Sequence, residues 1–455
     1  MSQDQQTWTV VGGGLLGMTL AYRLAHLGHR VTLLEAAPQL GGLASAWSFG
    51  GITWDRHYHV TLLSDTSLRS LLAELNCESD IEWVQTRTGF YTSRGFCSMS
   101  NLWEFLRFPV LNLIEKLRLG LTIAYAARIR DWQSLENVPV ETWLRRLSGT
   151  RTTDKVWLPL LRSKLGESYK DTSAAFIWAI IARMYAARRT GLKREMFGYV
   201  RGGYGRILDR FASALQAQGV TIRCGYAAES IRATHSGDHE LRLSDGTVHR
   251  SDRVVVTTPA RVAARTCLDL TEQERARLTA VRYQGIVCAS VVLAKPLAGF
   301  YVTNITEEWA PFTAIIEMTA LVDPATFGGR TLVYLPKYVA PDDPIFSESD
   351  GQIQDRFVAG LCRMHPHITP ADVLAFRVSR VRDVFALPVL GYSSQLPPVV
   401  TSVPGLFVLN SSHIVNGTLN VNETVRLADT WVSQLVRTAS TLETPAPYAY
   451  EQTAR

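Results

Sequence analysis

The stretch 7–42 constrains the fold of this chain more than any other. A short apolar run, Trp8–Val11, has the composition of a buried strand. Three glycines follow it in the spacing GxGxxG: Gly12, Gly14 and Gly17. The next apolar residues recur at helical spacing as far as Gly28, a residue type that commonly ends helices. A second apolar strand, Arg30–Leu34, then stops at Glu35. This order of elements predicts a Rossmann-like βαβ unit.

Each part of this unit has a physical reason to bind a dinucleotide. Glycine lets the backbone turn tightly and approach a pyrophosphate with no Cβ in between. The first turn of the helix presents unpaired N–H groups and about half a positive charge to phosphates. A carboxylate at the end of the second strand, here Glu35, accepts hydrogen bonds from an adenosine ribose and favours FAD or NAD over NADP. The predicted cofactor contacts in this unit are Gly12, Gly14, Leu15, Leu16, Gly17, Glu35 and Ala36.

Composition excludes several other classes of protein. The chain has 455 residues, of which 46% are hydrophobic and 19% charged, as expected for a globular protein of two or three domains. Its six cysteines include no CxxC pair, so we predict no metal site and free thiols in a reducing compartment. The start, MSQDQQTW, lacks a basic segment and an apolar signal core. No run of about 18 uncharged apolar residues follows it, so we predict a cytoplasmic protein without a transmembrane helix.

The net charge of +6 is unevenly distributed. Residues 140–206 contain 14 Lys and Arg against 5 Asp and Glu, an excess of 9 positive charges. Such an excess attracts an anionic substrate or a membrane surface, or it belongs to solvated helix faces, and these alternatives stay open. No recognisable nucleic-acid-binding module accompanies the charge, so nucleic acid is not a predicted partner.

A second pair of glycines, in AAPQLGGLAS, indicates which dinucleotide binds. Together with the first turn, it resembles the flavoprotein superfamily of amine oxidases, protoporphyrinogen oxidases, carotenoid desaturases and UDP-galactopyranose mutases. The second turn lies along FAD in that family, so the resemblance implies non-covalent FAD held also by Gly41, Gly42 and Leu43. The family often has an arginine just before the pair, where this chain has Gln39 and Leu40.

The stretch 405–428 extends the resemblance to the carboxyl-terminal part of the chain. A strand ends at Asn410, where the family has an acid, and the turn GTLN then leads into a helix. In the family, that acid and turn bind the ribityl–phosphate section, and the helix start faces the flavin ring. The resemblance implies further FAD contacts at Asn410, Thr418, Leu419, Asn420 and Val421, and at the backbone of Ala228.

These observations predict an α/β protein in which the cofactor domain is discontinuous in sequence. We predict a Rossmann-like FAD-binding domain over 1–98, 200–260 and 378–440. A helical insertion over 99–199 and a mixed α/β substrate domain with a β-sheet over 261–377 complete the expected architecture. Residues 441–455 are rich in prolines and small polar residues and are expected to form a loose tail.

Four residues are candidates for catalysis and substrate binding: His59, Lys164, Arg183 and Lys337. The segment RHYHVTLLSD, which contains His57 and His59, resembles the family's loop beside the isoalloxazine ring, where the mutases carry a histidine. The resemblance implies that His59 lines the flavin, with His57 second. Structural, hydrogen-bonded histidines are the alternative.

Two of these candidates are cations in strongly apolar segments, Lys164 and Arg183. A buried cation needs a partner, which is either an anion of the substrate or the carboxylate of Glu167 or Asp171. Lys337, on a later predicted strand, is a second-rank candidate for the same pocket.

Cys288 marks a departure from the amine oxidases. Many of them carry a lysine on the corresponding strand that holds a water at flavin N5, and alignment on Pro296 places Cys288 there. This difference weakens a simple amine-oxidase interpretation.

A predicted helix after Pro109 carries apolar residues at helical spacing: Val110, Leu113, Ile114, Leu117, Leu121, Ala124 and Tyr125. Cations flank this stripe: Arg107, Lys116, Arg118, Arg128 and Arg130. Such a helix either lies in a membrane interface or packs against the rest of its domain.

The leading functional prediction is an FAD-dependent oxidase, dehydrogenase or desaturase. It would take hydride from a largely apolar, anionic small molecule, lipid-like or phosphorylated, at a C–H bond next to an amine or in an allylic position. One alternative is a non-redox flavin mutase or isomerase of a nucleotide sugar, and another is a flavin-binding scaffold without turnover. Peripheral membrane contact and the oligomeric state stay open.

Overall fold

The structure is a computed structural model that describes residues 5–100, 102–188, 196–415 and 419–441. Its strands are β1 (Thr7–Val11), β2 (Arg30–Glu35), β3 (Ala46–Phe49), β4 (Ile52–Asp55), β5 (Thr61–Leu62), β6 (Ile81–Gln85), β7 (Thr88–Thr92), β8 (Gly95–Ser98), β9 (Met196–Val200), β10 (Thr221–Cys224), β11 (Ala228–Ala233), β12 (His239–Leu243), β13 (Val248–Ser251), β14 (Arg253–Val256), β15 (Tyr283–Leu293), β16 (Val302–Ile305), β17 (Ala314–Glu317), β18 (Thr331–Val339), β19 (Val373–Ala386) and β20 (Leu406–Val408). Its α-helices are α1 (Leu15–His26), α2 (Thr66–Glu74), α3 (Leu102–Arg107), α4 (Leu113–Ala126), α5 (Val140–Ser148), α6 (Thr150–Thr152), α7 (Leu158–Leu165), α8 (Ala174–Arg188), α9 (Gly203–Ala217), α10 (Ala260–Thr266), α11 (Glu272–Ala280), α12 (Asp350–Met364), α13 (Tyr392–Gln395) and α14 (Val421–Thr441).

A parallel sheet of five strands, in the order β10-β2-β1-β14-β20, brings distant parts of the chain together. β1 lies in the middle, with β2 on one side and β14 on the other, so the strand order reverses there. In sheets of this kind, ligands bind outside the carboxyl ends of the strands at such a reversal. Four residues stand at or just beyond those ends: Gly12, Glu35, Thr257 and Asn410.

Both faces of the parallel sheet are buried, which accounts for the nearly continuous apolar runs of its strands. On one face, Val10, Leu33 and Val255 pack with side chains of α1, α9 and α14. On the other face, the residues next to these three in the same strands pack with α10 and with the antiparallel sheet β11-β12-β13. The βαβ unit predicted from residues 7–42 therefore lies at the centre of a sheet that is covered on both faces.

The second large sheet has seven strands in the order β19-β15-β18-β17-β16-β7-β8. All residues of β15 are buried, and they alternate between two cores. Val287, Ala289 and Val291 face a core that includes α12. Ile286 and Cys288 face the opposite core, which includes residues of β4, β9 and β18.

The strand pairings differ from the expected domain boundaries at two places. The expectation assigned 88–98 and 378–440 to the cofactor domain, but β7, β8 and β19 lie in the seven-stranded sheet. The β7 strand pairs in parallel with β16 and β19 pairs with β15, and both pairings join segments far apart in sequence. Local patterns do not contain this information. The expected loose tail lies outside the described residues, except Thr441 at the end of α14.

The segment between Leu102 and Arg188 is helical and builds its own core from α4, α5, α7 and α8. That core also takes in Phe385, Tyr338 and Leu387 from the strands and loop beside it. Across the described parts of the chain, no helix has the length and apolar character needed to cross a membrane. No group of three or more potential metal-ligating His, Cys, Asp or Glu residues occurs there either.

Candidate flavin and substrate site

The first glycine turn is shaped by close backbone contacts. Gly12 has a φ of +112°, which favours glycine, and a Cβ there would lie 2.4 Å from Thr257 Oγ1. A Cβ on Gly17 would lie 1.8 Å from the carbonyl oxygen of Gly12. Helix α1 can therefore start this close to β1 only with glycine at position 17.

Gly14 differs from its two neighbours in the motif. Its φ is −70°, and nothing lies within 4 Å of a Cβ built on it. Neither the backbone nor the packing of the protein requires glycine here. Open space against the backbone, at the uncapped start of α1, fits the approach of a pyrophosphate.

The second glycine turn lies directly on the first. Gly41 N–H donates to the Gly13 carbonyl oxygen at 2.8 Å, and a Cβ on Gly42 would lie 3.2 Å from Gly14 Cα. Glu35 closes the same corner, because its carboxylate accepts the N–H groups of Gly13 (2.5 Å) and Ala37 (2.8 Å). The predicted contacts from both turns are thus assembled at one edge of the sheet.

The carboxyl-terminal contacts come to the same edge through β20. Asn410 is fully buried, and its Oδ1 accepts the N–H of Ser412 (3.0 Å) and its hydroxyl (2.7 Å). Its Nδ2 is buried without a hydrogen-bond partner among the described residues. Because an unpaired buried donor is costly, this amide fits a role in holding a polar group of the cofactor. Asn420 Oδ1 accepts the N–H of Glu423 (3.0 Å) near the start of α14.

The other predicted cofactor contacts differ from one another in burial and in the elements they contact. Leu419 is half-buried and packs against two cores, and Ala36 is exposed. Ala228 begins β11, opposite Leu243. Thr418 lies outside the described residues.

His57 links the second glycine turn to the seven-stranded sheet. Its Nδ1 donates to the Leu43 carbonyl oxygen at 3.1 Å, so its Nε2 accepts from Ser379 Oγ at 3.1 Å. Burial lowers the pKa of His57 to about 3. Both ring nitrogens are used within the protein, so His57 positions the loop that follows the turn.

His59 keeps one ring nitrogen available. Its Nδ1 donates to the His57 carbonyl oxygen at 2.9 Å, so Nε2 carries the lone pair and has no partner among the described residues. Its ring lies 4.7 Å from that of Tyr204, between centroids, and burial lowers its pKa to about 4. A neutral His59 can therefore accept a hydrogen bond at Nε2.

Asp55 is a carboxyl group of this site that sequence analysis missed. It is buried, with Oδ2 3.9 Å from His59 Nδ1, and Oδ1 accepts the N–H of Tyr204 at 2.7 Å. Burial raises the pKa of Asp55 to about 7 against the opposing effect of that hydrogen bond. Asp55 is the last residue of β4, and its neighbours in sequence gave no sign that its carboxyl group is buried.

Lys164 lies among aromatic rings. Its Nζ is 5.6 Å from the ring centroid of Tyr338, 5.9 Å from that of Phe385 and 6.0 Å from that of Phe176. Burial, and secondarily the charge of Arg183, lowers the pKa of Lys164 to about 8. No carboxylate of the described residues forms a salt bridge with it.

Arg183 has a protein partner, and it is neither of the two carboxylates considered from sequence. Its guanidinium contacts the buried carboxylate of Asp65 at 2.8 to 3.2 Å. Glu167 pairs with Lys170 instead, and Asp171 with Arg282.

Lys337 does not join the other candidates. Strand alternation places Tyr334 and Tyr338 on one face of β18 and Lys337 on the other. Lys337 lines a separate cleft of about 490 Å³ with Asp343 and Arg356. The neighbouring Tyr338 faces the candidate site, where its hydroxyl lies 3.0 Å from that of Tyr58. Alternation along β18 shows from sequence only that Lys337 and Tyr338 lie on opposite faces.

Comparisons with known proteins agree with this geometry. The profile of the family described as flavin containing amine oxidoreductase matches residues 17–420. A 15-cis-phytoene desaturase of Narcissus pseudonarcissus is 26% identical over 172 residues, which are 34% of this chain and 30% of that protein. Putrescine oxidase bound to putrescine has a TM-score of 0.71 at 17% identity, with 95% of this chain and 99% of that chain covered. Reduced UDP-galactopyranose mutase has a TM-score of 0.73 at 15% identity, with 96% of each chain covered.

These matches differ in what they establish. The two structures show a shared fold, and the chain spans less than half the length of the plant desaturases it matches. The family profile covers most of the chain and confirms the predicted superfamily, the α/β fold class and the FAD cofactor. The individual site residues stay predictions. This chain belongs to the flavin containing amine oxidoreductase family.

Proposed function

We propose that this protein uses FAD to take a hydride from a largely apolar small molecule that carries a carboxylate or phosphate. The observation that carries this proposal is Lys164, a cation with aromatic rings around it and no salt bridge to a described carboxylate. Lys164 is half-buried, and a cation among apolar rings is costly unless it is paired. An anionic group of a substrate supplies that partner, and the rings supply an apolar surface for the rest of the molecule.

The residues around Lys164 suit orientation of a substrate more than acid–base chemistry. The hydroxyls of Tyr58 and Tyr338 bond each other, and burial raises the pKa of both tyrosines. Cys288 is fully buried, and burial raises the pKa of its thiol as well. Neutral side chains of this kind exclude water and hold a C–H bond in one direction, which is what hydride transfer requires.

When bound, the flavin supplies the hydride acceptor. The chain's own contribution is to bind, orient and handle protons at defined atoms. Lys164 holds the anionic end of the substrate, and His59 accepts a hydrogen bond or a proton at Nε2. Asp55, close to His59 Nδ1, stabilises the imidazolium that such a proton would form.

The position of the positive charge favours an allylic C–H bond over one beside an amine. An amine substrate is protonated near neutral pH, and Lys164 would repel it at the aromatic end of the site. The fully buried Cys288 also stands where many amine oxidases are expected to carry a lysine. We therefore rank desaturation of an apolar anion above oxidation of an amine.

Anaerobic titration tests the proposal directly. The purified protein with bound FAD is mixed with prenyl phosphates, unsaturated fatty acids and aliphatic amines, and the flavin absorbance is recorded. We expect bleaching with members of the first two groups. Bleaching by amines alone would overturn the proposed substrate class, and a flavin that none of them reduces would favour the scaffold.

A mutase of nucleotide sugars is the second candidate function. Reduced UDP-galactopyranose mutase shares the fold of this chain, and His59 Nε2 has no partner among the described residues. Such a mutase would turn over only after reduction of the flavin by dithionite, with no net change in flavin absorbance. Arg183 counts against it, since Asp65 already binds this second cation.

Lys164→Met should raise KM for the anionic substrate about 10- to 100-fold, since a hydrogen bond to a charged group is lost. FAD content should not change. In the parent protein, Lys164 is protonated below its pKa of about 8, so affinity should fall as the pH rises through that value. Lys337→Met, a half-buried lysine on the opposite face of β18, is the matched control. Equal effects of the two variants, or a pH dependence that survives in Lys164→Met, would exclude this role.

A further inference from the structure

Helix α4 carries its large apolar side chains outward. Five of them form one stripe, 55% to 74% exposed: Leu113, Ile114, Leu117, Leu121 and Tyr125. At 100° per residue they cover about 120° of the helix circumference. We call this set the α4 stripe.

The buried side of the same helix is the more polar one. Glu115 is buried and caps the helix through the N–H of Asn112 at 2.9 Å, with Lys155 at 3.3 Å. Thr122 is buried and accepts a hydrogen bond from Ser148 at 3.0 Å. A helix of a water-exposed domain normally directs its apolar stripe to the core. Helix α4 adds Leu119 and Ala126 to the core beside these polar contacts, and it leaves the larger apolar stripe on the surface.

Helix α3 continues this surface. Trp103 is 73% exposed and Leu106 is 42% exposed, and Lys116 Nζ of α4 donates to the Leu106 carbonyl oxygen at 2.6 Å. Seven exposed apolar side chains thus lie on two helices that contact each other. Trp and Tyr are the residues enriched where a bilayer meets water.

The charge around the surface is positive. Residues 102–130 contain five cations: Arg107, Lys116, Arg118, Arg128 and Arg130. The two acids of this segment are engaged, Glu104 with Ser100 N–H and Glu115 with Asn112 and Lys155. On the helical wheel, Lys116 and Arg118 lie on opposite sides of the α4 stripe. Cations beside an exposed apolar stripe are complementary to anionic lipid headgroups.

We propose that α3 and α4 bind in the plane of an anionic lipid bilayer, with the α4 stripe in the acyl boundary and the flanking cations at the headgroups. A second copy of the chain is the less suitable occupant. An isologous dimer through this surface would bring the same cations together from both copies. A bilayer satisfies the apolar stripe and the charges at once.

Vesicle sedimentation tests the proposal with the purified protein and its bound FAD. Phosphatidylcholine vesicles with and without phosphatidylglycerol are compared at low and high salt. The protein should sediment with the anionic vesicles, and high salt should weaken binding. Leu117→Glu combined with Leu121→Glu should weaken binding at least about 100-fold, because two apolar anchors become anions.

Two further double variants make the result specific. Val248→Glu combined with Leu374→Glu, at positions 53% and 51% exposed in β13 and β19, adds the same charge and should keep binding close to that of the parent. Arg107→Gln combined with Arg128→Gln should weaken binding to anionic vesicles roughly tenfold. Flavin content and elution volume report whether each variant is folded and which oligomer it forms.

Three outcomes would overturn the proposal. The parent protein would stay in the supernatant with both kinds of vesicle, or the control pair would reduce binding as strongly as the α4 pair. A parent dimer that becomes monomeric in the α4 double variant would assign the surface to a second copy instead. The failure of any substrate to reduce the flavin would leave this test unaffected.

Discussion

Gly14→Val should give a folded protein that no longer binds FAD. No atom lies within 4 Å of a Cβ at this position, and its φ of −70° suits any residue, so the fold should tolerate valine. The added methyl groups would occupy the space where a pyrophosphate approaches the start of α1. The affinity for FAD should fall at least about 100-fold, since close N–H contacts to the phosphates are lost. The flavin absorbance of the purified protein measures this loss.

Two glycine variants serve as controls for this result. Gly120→Val, at another open position with nothing within 4 Å of a Cβ, should keep its flavin and its thermal stability. Gly17→Ala should instead lower the free energy of unfolding by about 3 kcal/mol or more, because its Cβ would overlap the Gly12 carbonyl oxygen. A yellow Gly14→Val protein with unchanged FAD affinity would contradict the placement of the cofactor.

Arg183→Ala should be the most destabilising of the charge variants, with a loss of about 3 kcal/mol. It leaves the carboxylate of Asp65 buried, and among the described residues the Leu62 N–H at 2.8 Å is then its one remaining hydrogen-bond donor. Chemical denaturation measures the effect. Removal of Asp65 as well should recover part of the loss, since no unpaired charge then remains inside.

Arg250→Ala is the matched control for this pair. Arg250 bonds Glu240 at 3.2 Å on an exposed hairpin, where a pair contributes at most about 1 kcal/mol. If Arg183→Ala kept full stability and lost only substrate affinity, the result would assign Arg183 to the substrate site. A purely structural Arg183 leaves FAD affinity unchanged in the folded fraction.

The first 42 residues contained enough local information to predict their own fold. The spacing of Gly12, Gly14 and Gly17, and the acid at Glu35, depend on neighbours within one βαβ unit. Local signals of this kind also predicted the family. The glycine turns and the end of β20, which carried the resemblance, lie at one edge of one sheet.

The candidate substrate site depended on information that a sequence pattern does not hold. The partner of Arg183 is Asp65, more than a hundred residues earlier, so proximity in sequence favoured the wrong carboxylates. Lys337 and Tyr338 are adjacent, but the pairing of β18 within the seven-stranded sheet decides which of them faces Tyr58. Likewise, the spacing in α4 revealed an apolar stripe without showing whether it faces the core or the surface.

The strand order of the parallel sheet has a consequence for how the protein is made. Of the five strands, β1 and β2 are synthesised before β10 and β14, and β20, on the far side of β14, is synthesised last. Sheets joined by such distant segments close slowly, since a long loop must be ordered before the pairing is gained. The nascent chain therefore has an unpaired strand edge at β14 until β20 has been made. We expect chaperone dependence to be greatest in that interval, and cofactor loading to come after β20 has paired with β14.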